Sequence, residues 1–217
     1  MKLKKINENL QRALVENGLT EANEMQQDTF STIKSGQDCV IIAPAKSGKT
    51  TTLVINVIQR LEKEFEESPR ALIIVPNKEK LIEMKILFEK FGNYTDLRVY
   101  GVHDKGDIDF DKNHISLGID VLIGTPNRIS EMFASAGFDV NRLKMYIIED
   151  ADELLRLRFD TKLARMSEAM GKTQRILFTE NVTERIDSFA DRIMIEPVFF
   201  EMDDEDFEEE EEEKEQD

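Results

Sequence analysis

Short apolar runs alternate along this chain with longer segments in which apolar residues recur every three or four positions. The runs are Cys39 to Ala43, Ala71 to Val75, Leu97 to Gly101, Val121 to Gly124, Met145 to Ile148, Arg175 to Phe178 and Arg192 to Ile195. Each has the length of a buried strand, and a helical segment between successive strands is what parallel pairing demands. The pattern predicts an α/β fold with a mostly parallel seven-stranded sheet. The segment after Lys49 places Leu53, Val54, Val57, Ile58 and Leu61 on one helical face, and the next places Leu81, Met84, Phe88 and Phe91. Both stripes read as one-sided, so these helices are expected to cover a sheet. Upstream, Leu3, Ile6, Leu10, Ala13 and Leu14 predict a helix that stops at Asn17-Gly18. Met132, Met166 and Met170 fall at core positions of the same pattern and are read as packing.

Composition changes this picture at one end. The chain has 217 residues and a formal charge of −16, of which residues 201–217 contribute −12, leaving −4 on residues 1–200. A run of Asp and Glu cannot bury apolar area to offset chain entropy, so 201–217 is expected to be a disordered acidic tail on a folded domain spanning 1–200. Two roles stay open for the tail: a solubilising segment, or an RNA mimic that competes for the domain's phosphate-contact face or recruits a basic partner. A globally basic nucleic-acid binder is excluded. One cysteine, Cys39, excludes an intramolecular disulfide and a Cys-based metal site. No apolar stretch approaches a membrane span, and the first residues lack the apolar core of a signal peptide. The expected location is therefore cytoplasmic, away from membranes. His103 and His114 have no ligand spacing and receive no role.

Candidate chemistry sits at two strand ends. Ala43-Pro44-Ala45-Lys46-Ser47-Gly48-Lys49-Thr50 follows the first strand and opens the first long helix, the context of a phosphate-binding loop. In such a loop backbone N–H groups wrap the phosphates, Lys49 reaches the β and γ phosphates, and the Thr50 hydroxyl ligates Mg²⁺. About a hundred residues on, Ile147-Ile148-Glu149-Asp150-Ala151-Asp152 ends the fifth strand in carboxylates, where an open α/β sheet builds its ligand crevice. Acids at that position suit Mg²⁺ coordination and water activation.

With these residues in view, the chain resembles the N-terminal RecA-like domain of a DEAD-box RNA helicase, from its first helix to about Phe200. The segment Gly18 to Gln26 resembles the family's Q motif, which implies that Gln26 reads the adenine edge. Residues 43–50 resemble motif I, implying nucleotide contacts from Ala45, Lys46, Ser47, Gly48, Lys49 and Thr50. Val75 to Leu81 resembles motif Ia and Gly124-Thr125-Pro126-Asn127-Arg128 resembles motif Ib, implying RNA-backbone contacts from Pro76, Lys78, Thr125 and Arg128. Lys78, Lys80 and Arg128 are read as cations for phosphates, the alternative being solvated helix surface. Glu149 to Asp152 stands at the DEAD motif and Thr179-Glu180-Asn181 at motif III. The implied fold is a three-layer RecA-like P-loop fold, and the implied cofactors are ATP and Mg²⁺.

Departures from the family pattern refine the expectation. Glu149 stands where the family has the metal-organising Asp, and Asp150 where it has the Glu that positions the attacking water, so both are read as catalytic, with Thr50 and Glu149 holding the metal. Lys46 replaces a usual glycine and Pro44 a usual glutamine, so a backbone needing positive φ would carry roughly 1–2 kcal/mol of strain. Glu180 adds a charge beside the acids, and Gly101-Val102 replaces a paired glycine. The family's second RecA-like domain supplies an arginine finger, a group that contributes about 10³- to 10⁵-fold in related phosphoryl transfer. The expected function is a helicase ATP-binding domain that binds ATP/Mg and contacts RNA backbone, with weak or no hydrolysis on its own. The alternative is a non-catalytic helicase domain acting as a nucleotide-, RNA- or protein-binding module, with a second helicase domain or another protein as partner in trans.

Overall fold

The computed structural model describes residues 3 and 5–202. In chain order the elements are α1 (Glu8–Glu16), α2 (Glu24–Ser35), β1 (Cys39–Ile42), α3 (Lys49–Leu61), β2 (Ala71–Ile74), α4 (Lys78–Phe91), β3 (Val99–Val102), α5 (Ile108–Ser116), β4 (Val121–Gly124), α6 (Pro126–Ala134), β5 (Met145–Ile148), α7 (Ala151–Arg156), α8 (Asp160–Ala169), β6 (Gln174–Thr179), α9 (Glu184–Ile193) and β7 (Val198–Glu201). The strands form one seven-stranded sheet in the order β3-β4-β2-β5-β6-β1-β7. Every pairing in it is parallel. Alternate strand residues feed two cores. Ile41, Ile73, Ile123, Ile147 and Phe178 join Leu53 of α3 and Met84 of α4 on one face. Leu72, Leu122, Ile148 and Leu177 join Ile129 of α6, Leu163 of α8 and Ile186 of α9 on the other. Helices on both faces of a parallel sheet make the α/β sandwich that the alternating pattern predicts.

Four local expectations are revised. The seventh strand is Val198–Glu201, because Arg192 and Ile193 belong to the last turn of α9. The apolar series Ile186, Phe189, Ala190 and Ile193 has helical period and is buried, and Thr183 caps it by accepting from the Ile186 N–H at 3.2 Å. α1 begins at Glu8, since the Asn7 side chain accepts from the Asn9 and Leu10 N–H groups and starts the helix there, leaving Leu3 and Ile6 in the preceding segment. α3 is buried on nearly all sides, from Leu53 to Leu61 without an exposed stripe, because α2 and α4 pack over the face that the sheet leaves free. β3 starts at Val99, since Arg98 faces a side chain at the foot of the sheet. The tail reading falls mostly outside the described residues; Glu201 lies in β7, and buried Met202 donates its N–H to the Ile42 carbonyl at 2.9 Å. Met132, Met166 and Met170 are buried as expected.

One charged cluster ties the amino ends of three neighbouring strands. Asp120, fully buried before β4, accepts from Arg70 Nη2 at 2.6 Å, Arg98 Nε at 2.9 Å, and the backbone N–H groups of Arg98 and Phe65 at 3.0 Å each. At the opposite end of β4, Gly124 brings the sheet against α6: a Cβ there would lie 2.5 Å from Ile129 Cγ1 and 2.8 Å from Val102 Cγ2. Gly124→Ala is expected to cost about 1–3 kcal/mol through overpacking, read as a lower urea midpoint at unchanged slope. An unchanged midpoint would mean that α6 shifts freely.

Candidate functional site

The loop between β1 and α3 wraps because two of its residues adopt positive φ, Lys46 at 67° and Gly48 at 89°. Glycine takes this conformation freely, while lysine carries the strain foreseen for it, about 1–2 kcal/mol. A segment distant in sequence buttresses the loop. In α2 the Asn23 side chain accepts from the Gln26 N–H at 2.9 Å while Gln26 Oε1 accepts from the Asn23 N–H at 3.3 Å, a reciprocal cap of the helix. The remaining Asn23 amide donates to the Ser47 carbonyl at 3.0 Å. Gln26 is thereby held beside the loop, buried, its amide nitrogen 4.0 Å from where a Cβ of Gly48 would stand.

Lys49 and Thr50 occupy the first turn of α3. Lys49 Nζ donates to the carbonyls of Ala43 and Pro44 at 2.7 Å each and lies 3.5 Å from Glu180. The Thr50 hydroxyl donates to Glu149 Oε1 at 2.6 Å, joining the loop to the end of β5. Glu149 is fully buried, and its Oε2 has no hydrogen-bond partner. Burial pushes this carboxyl up to about 7, against the pull of the Thr50 hydrogen bond. Asp150 is the N-cap of α7 at φ 51°; burial raises its carboxyl, and Lys80 and Lys49 oppose that rise.

Lys80, on the first turn of α4, points its ammonium into the same place. Its Nζ is 3.4 Å from Glu83, 3.6 Å from Glu149 Oε1 and 4.0 Å from Asp150. Burial alone would lower this ammonium, but the three carboxylates outweigh it and raise it above its ordinary value. The residues line a cleft of about 1300 Å³ at the carboxyl ends of the strands, with Ala45, Lys46, Gly48, Lys49, Thr50 and Asp150 on its walls. Ser47 and Glu149 are buried immediately beside it.

The oxygen set fits a hard divalent cation of the Mg²⁺ type. The Thr50 hydroxyl, the unpartnered Glu149 Oε2 and the Asp150 carboxylate are hard donors. Among the described residues no group of three or more acidic, His or Cys side chains forms a cage. Mg²⁺ is ordinarily held this way, by one or two carboxylates with phosphates and water completing the shell.

The residues expected to meet RNA fall into two kinds. Pro76 is half-buried and Lys78 exposed at the start of α4, behind the capping Asn77. Thr125 and Arg128 are buried and engaged within the chain. The Thr125 hydroxyl donates to Asp104 Oδ1 at 3.0 Å. Arg128 donates to the carbonyls of His103 and Asp104 at 3.1 Å each and to that of Gly106, and pairs with Glu131 at 3.3 Å. Arg128 thus holds the segment after β3 in place instead of presenting a free charge. Pattern reading did not find the Asn23 tether, although Asn-x-x-Gln ahead of a helical period is a capping signal. It also placed Lys80 with Lys78 on the phosphate-contact side, because spacing along α4 does not say which turn meets the acids of β5.

Comparison with known proteins agrees with this geometry. A family model described as DEAD/DEAH box helicase matches residues 23–188. The ATP-dependent RNA helicase eIF4A of Lodderomyces elongisporus is 26% identical over 191 residues, covering 88% of this chain and 48% of that protein. Eukaryotic initiation factor 4A of Caenorhabditis elegans is 23% identical over 194 residues, covering 89% of this chain and 48% of that protein. The crystal structure of a DEAD box protein from the hyperthermophile Methanococcus jannaschii superposes with a TM-score of 0.86 at 20% identity, covering 92% of this chain and 55% of that one. The chain therefore spans about half the length of the curated relatives it matches.

Proposed function

The chain belongs to the DEAD/DEAH box helicase family, and from that premise we propose that it binds ATP with Mg²⁺ in the cleft above β1 and β5 and contacts RNA backbone from the start of α4. The observation that carries this reading is the 2.6 Å bond from Thr50 to Glu149, which joins a phosphate loop to a buried acid at the sheet's carboxyl end. Lys49 and the N–H groups at the start of α3 hold phosphate oxygens, and Gln26, fixed by Asn23, takes the adenine edge. Thr50 and Glu149 hold Mg²⁺, which when bound neutralises phosphate charge. Asp150 takes the role of positioning the attacking water. Pro76 and Lys78 meet RNA phosphates, while Thr125 and Arg128 act by fixing the loop beside them.

Turnover by the isolated domain is expected to be weak or nil. Asp150 is one methylene shorter than the family's water-positioning acid, starts a helix in a strained conformation, and lies 4.0 Å from the Lys80 ammonium. Misplacing a catalytic group by about 1 Å costs on the order of a hundredfold. Those features also favour the second reading, a nucleotide-binding module without hydrolysis that works with a second helicase domain or another protein in trans. Calorimetric titration with ATP and ADP, with and without Mg²⁺, tests the shared premise, and heat is expected with both nucleotides. No heat with either would overturn it. RNA-stimulated phosphate release well above background would refute the non-hydrolysing reading.

A further inference from the structure

We infer that the Lys80 ammonium is a resident counter-ion for the acidic end of the cleft, so that this domain binds nucleoside phosphates with little dependence on a divalent cation. The inference rests on the ATP-site reading above and concerns how that site balances charge.

A buried carboxylate needs a partner, and Glu149 is fully buried. Its Oε1 has the Thr50 hydroxyl and, at 3.6 Å, Lys80; the same ammonium is 4.0 Å from Asp150 and 3.4 Å from Glu83. The Lys80 side chain is 22% exposed, so its charge is only partly shared with water. It comes from the first turn of α4 and lines the same cleft as Lys49, Thr50 and Asp150. A polyphosphate seated on the loop would therefore meet Lys49 at one end and Lys80 beside the carboxylates at the other.

Two consequences follow from like-charge repulsion. A divalent ion held by Thr50 and Glu149 must share the Glu149 carboxylate with a fixed monovalent cation, which weakens metal binding. Conversely, phosphate approaching without metal finds the acids already partly neutralised, so the usual repulsion between carboxylates and phosphate is reduced. Lysine suits this role because its ammonium is a compact point charge with three donors on a flexible stem.

The test measures affinity of the full chain for ADP in Mg²⁺ and in EDTA, for wild type, Lys80→Met and Lys80→Gln. Mn²⁺ binding to the nucleotide-free proteins, read by electron paramagnetic resonance, is the second readout. Wild type is expected to lose less than about threefold in affinity on removal of Mg²⁺, and both variants at least about tenfold. Mn²⁺ should bind the variants more tightly than wild type. An equal Mg²⁺ dependence in wild type and variants, or Mn²⁺ affinity unchanged by the substitutions, would overturn the inference and leave the ATP-site reading standing. A chain that binds no ADP under either condition would overturn the ATP-site reading and this inference with it.

Discussion

Lys49→Ala is expected to weaken ADP and ATP binding by about a hundredfold or more while leaving the domain folded. The ammonium is at the first turn of α3 with two donors on the Ala43 and Pro44 carbonyls and the third toward Glu180. Charge-assisted hydrogen bonds contribute about 1.5–3 kcal/mol each, so losing two phosphate contacts removes about 3–6 kcal/mol, or at least two decades in affinity. The folded state loses less, because the part-buried Pro44 carbonyl can take water in place of the ammonium and Glu180, 43% exposed, is already hydrated, which leaves only the buried Ala43 carbonyl short of a partner. Calorimetry gives the affinity and a thermal melt the stability. ADP affinity within about threefold of wild type would show that phosphate does not sit at this loop.

Asp120→Ala is expected to cost about 3–5 kcal/mol, because it strips a buried pair of its acid. Arg70, 5% exposed, would lose the acceptor of its Nε and one of the two acceptors of its Nη2, which keeps the Lys63 carbonyl, and the N–H groups of Phe65 and Arg98 would lose theirs. Since Asp120 holds the amino ends of β2, β3 and β4 together, the damage falls on one edge of the sheet. For a domain near two hundred residues this corresponds to a fall in Tm of roughly 10 °C. The pH dependence has a definite sign. Burial opposes ionisation of Asp120, but Arg98 and Arg70 with the backbone N–H groups of Arg98 and Phe65 outweigh it and hold the carboxyl below its ordinary 3.8. A depressed carboxyl stabilises the fold above its unfolded value and loses that contribution as pH falls through the folded one. The gap between wild type and Asp120→Asn in urea midpoint should be full at pH 7 and narrow below about pH 3.8. A gap that is absent at neutral pH, or that widens in acid, would remove the cluster from the stability account.

Much of the fold was legible because strand length and helical period are local signals. Six of the apolar runs lie where strands form, and the stripe Leu81, Met84, Phe88 and Phe91 is buried on α4. The seventh run failed because Arg192 to Ile195 is short and apolar in either conformation; only its register with Ile186 and Phe189 distinguishes a helix end from a strand. The all-round burial of α3 was invisible for a related reason. A stripe marks the face that meets the sheet, and what covers the outer face depends on where α2 and α4 return.

The site divides in the same way. The parallel α/β class, the phosphate loop at the head of α3 and the acids at the end of β5 can be read along the chain, because each is a contiguous run whose chemistry depends on near neighbours. Packing in three dimensions sets the rest: Asn23 clamps Ser47, Arg128 turns inward to the His103–Gly106 carbonyls, and Lys80 rather than Lys78 reaches Glu149 and Asp150. Those pairings join elements far apart in the chain, and the direction in which a charged side chain leaves its helix is settled by which carboxylate or carbonyl the packing sets within reach.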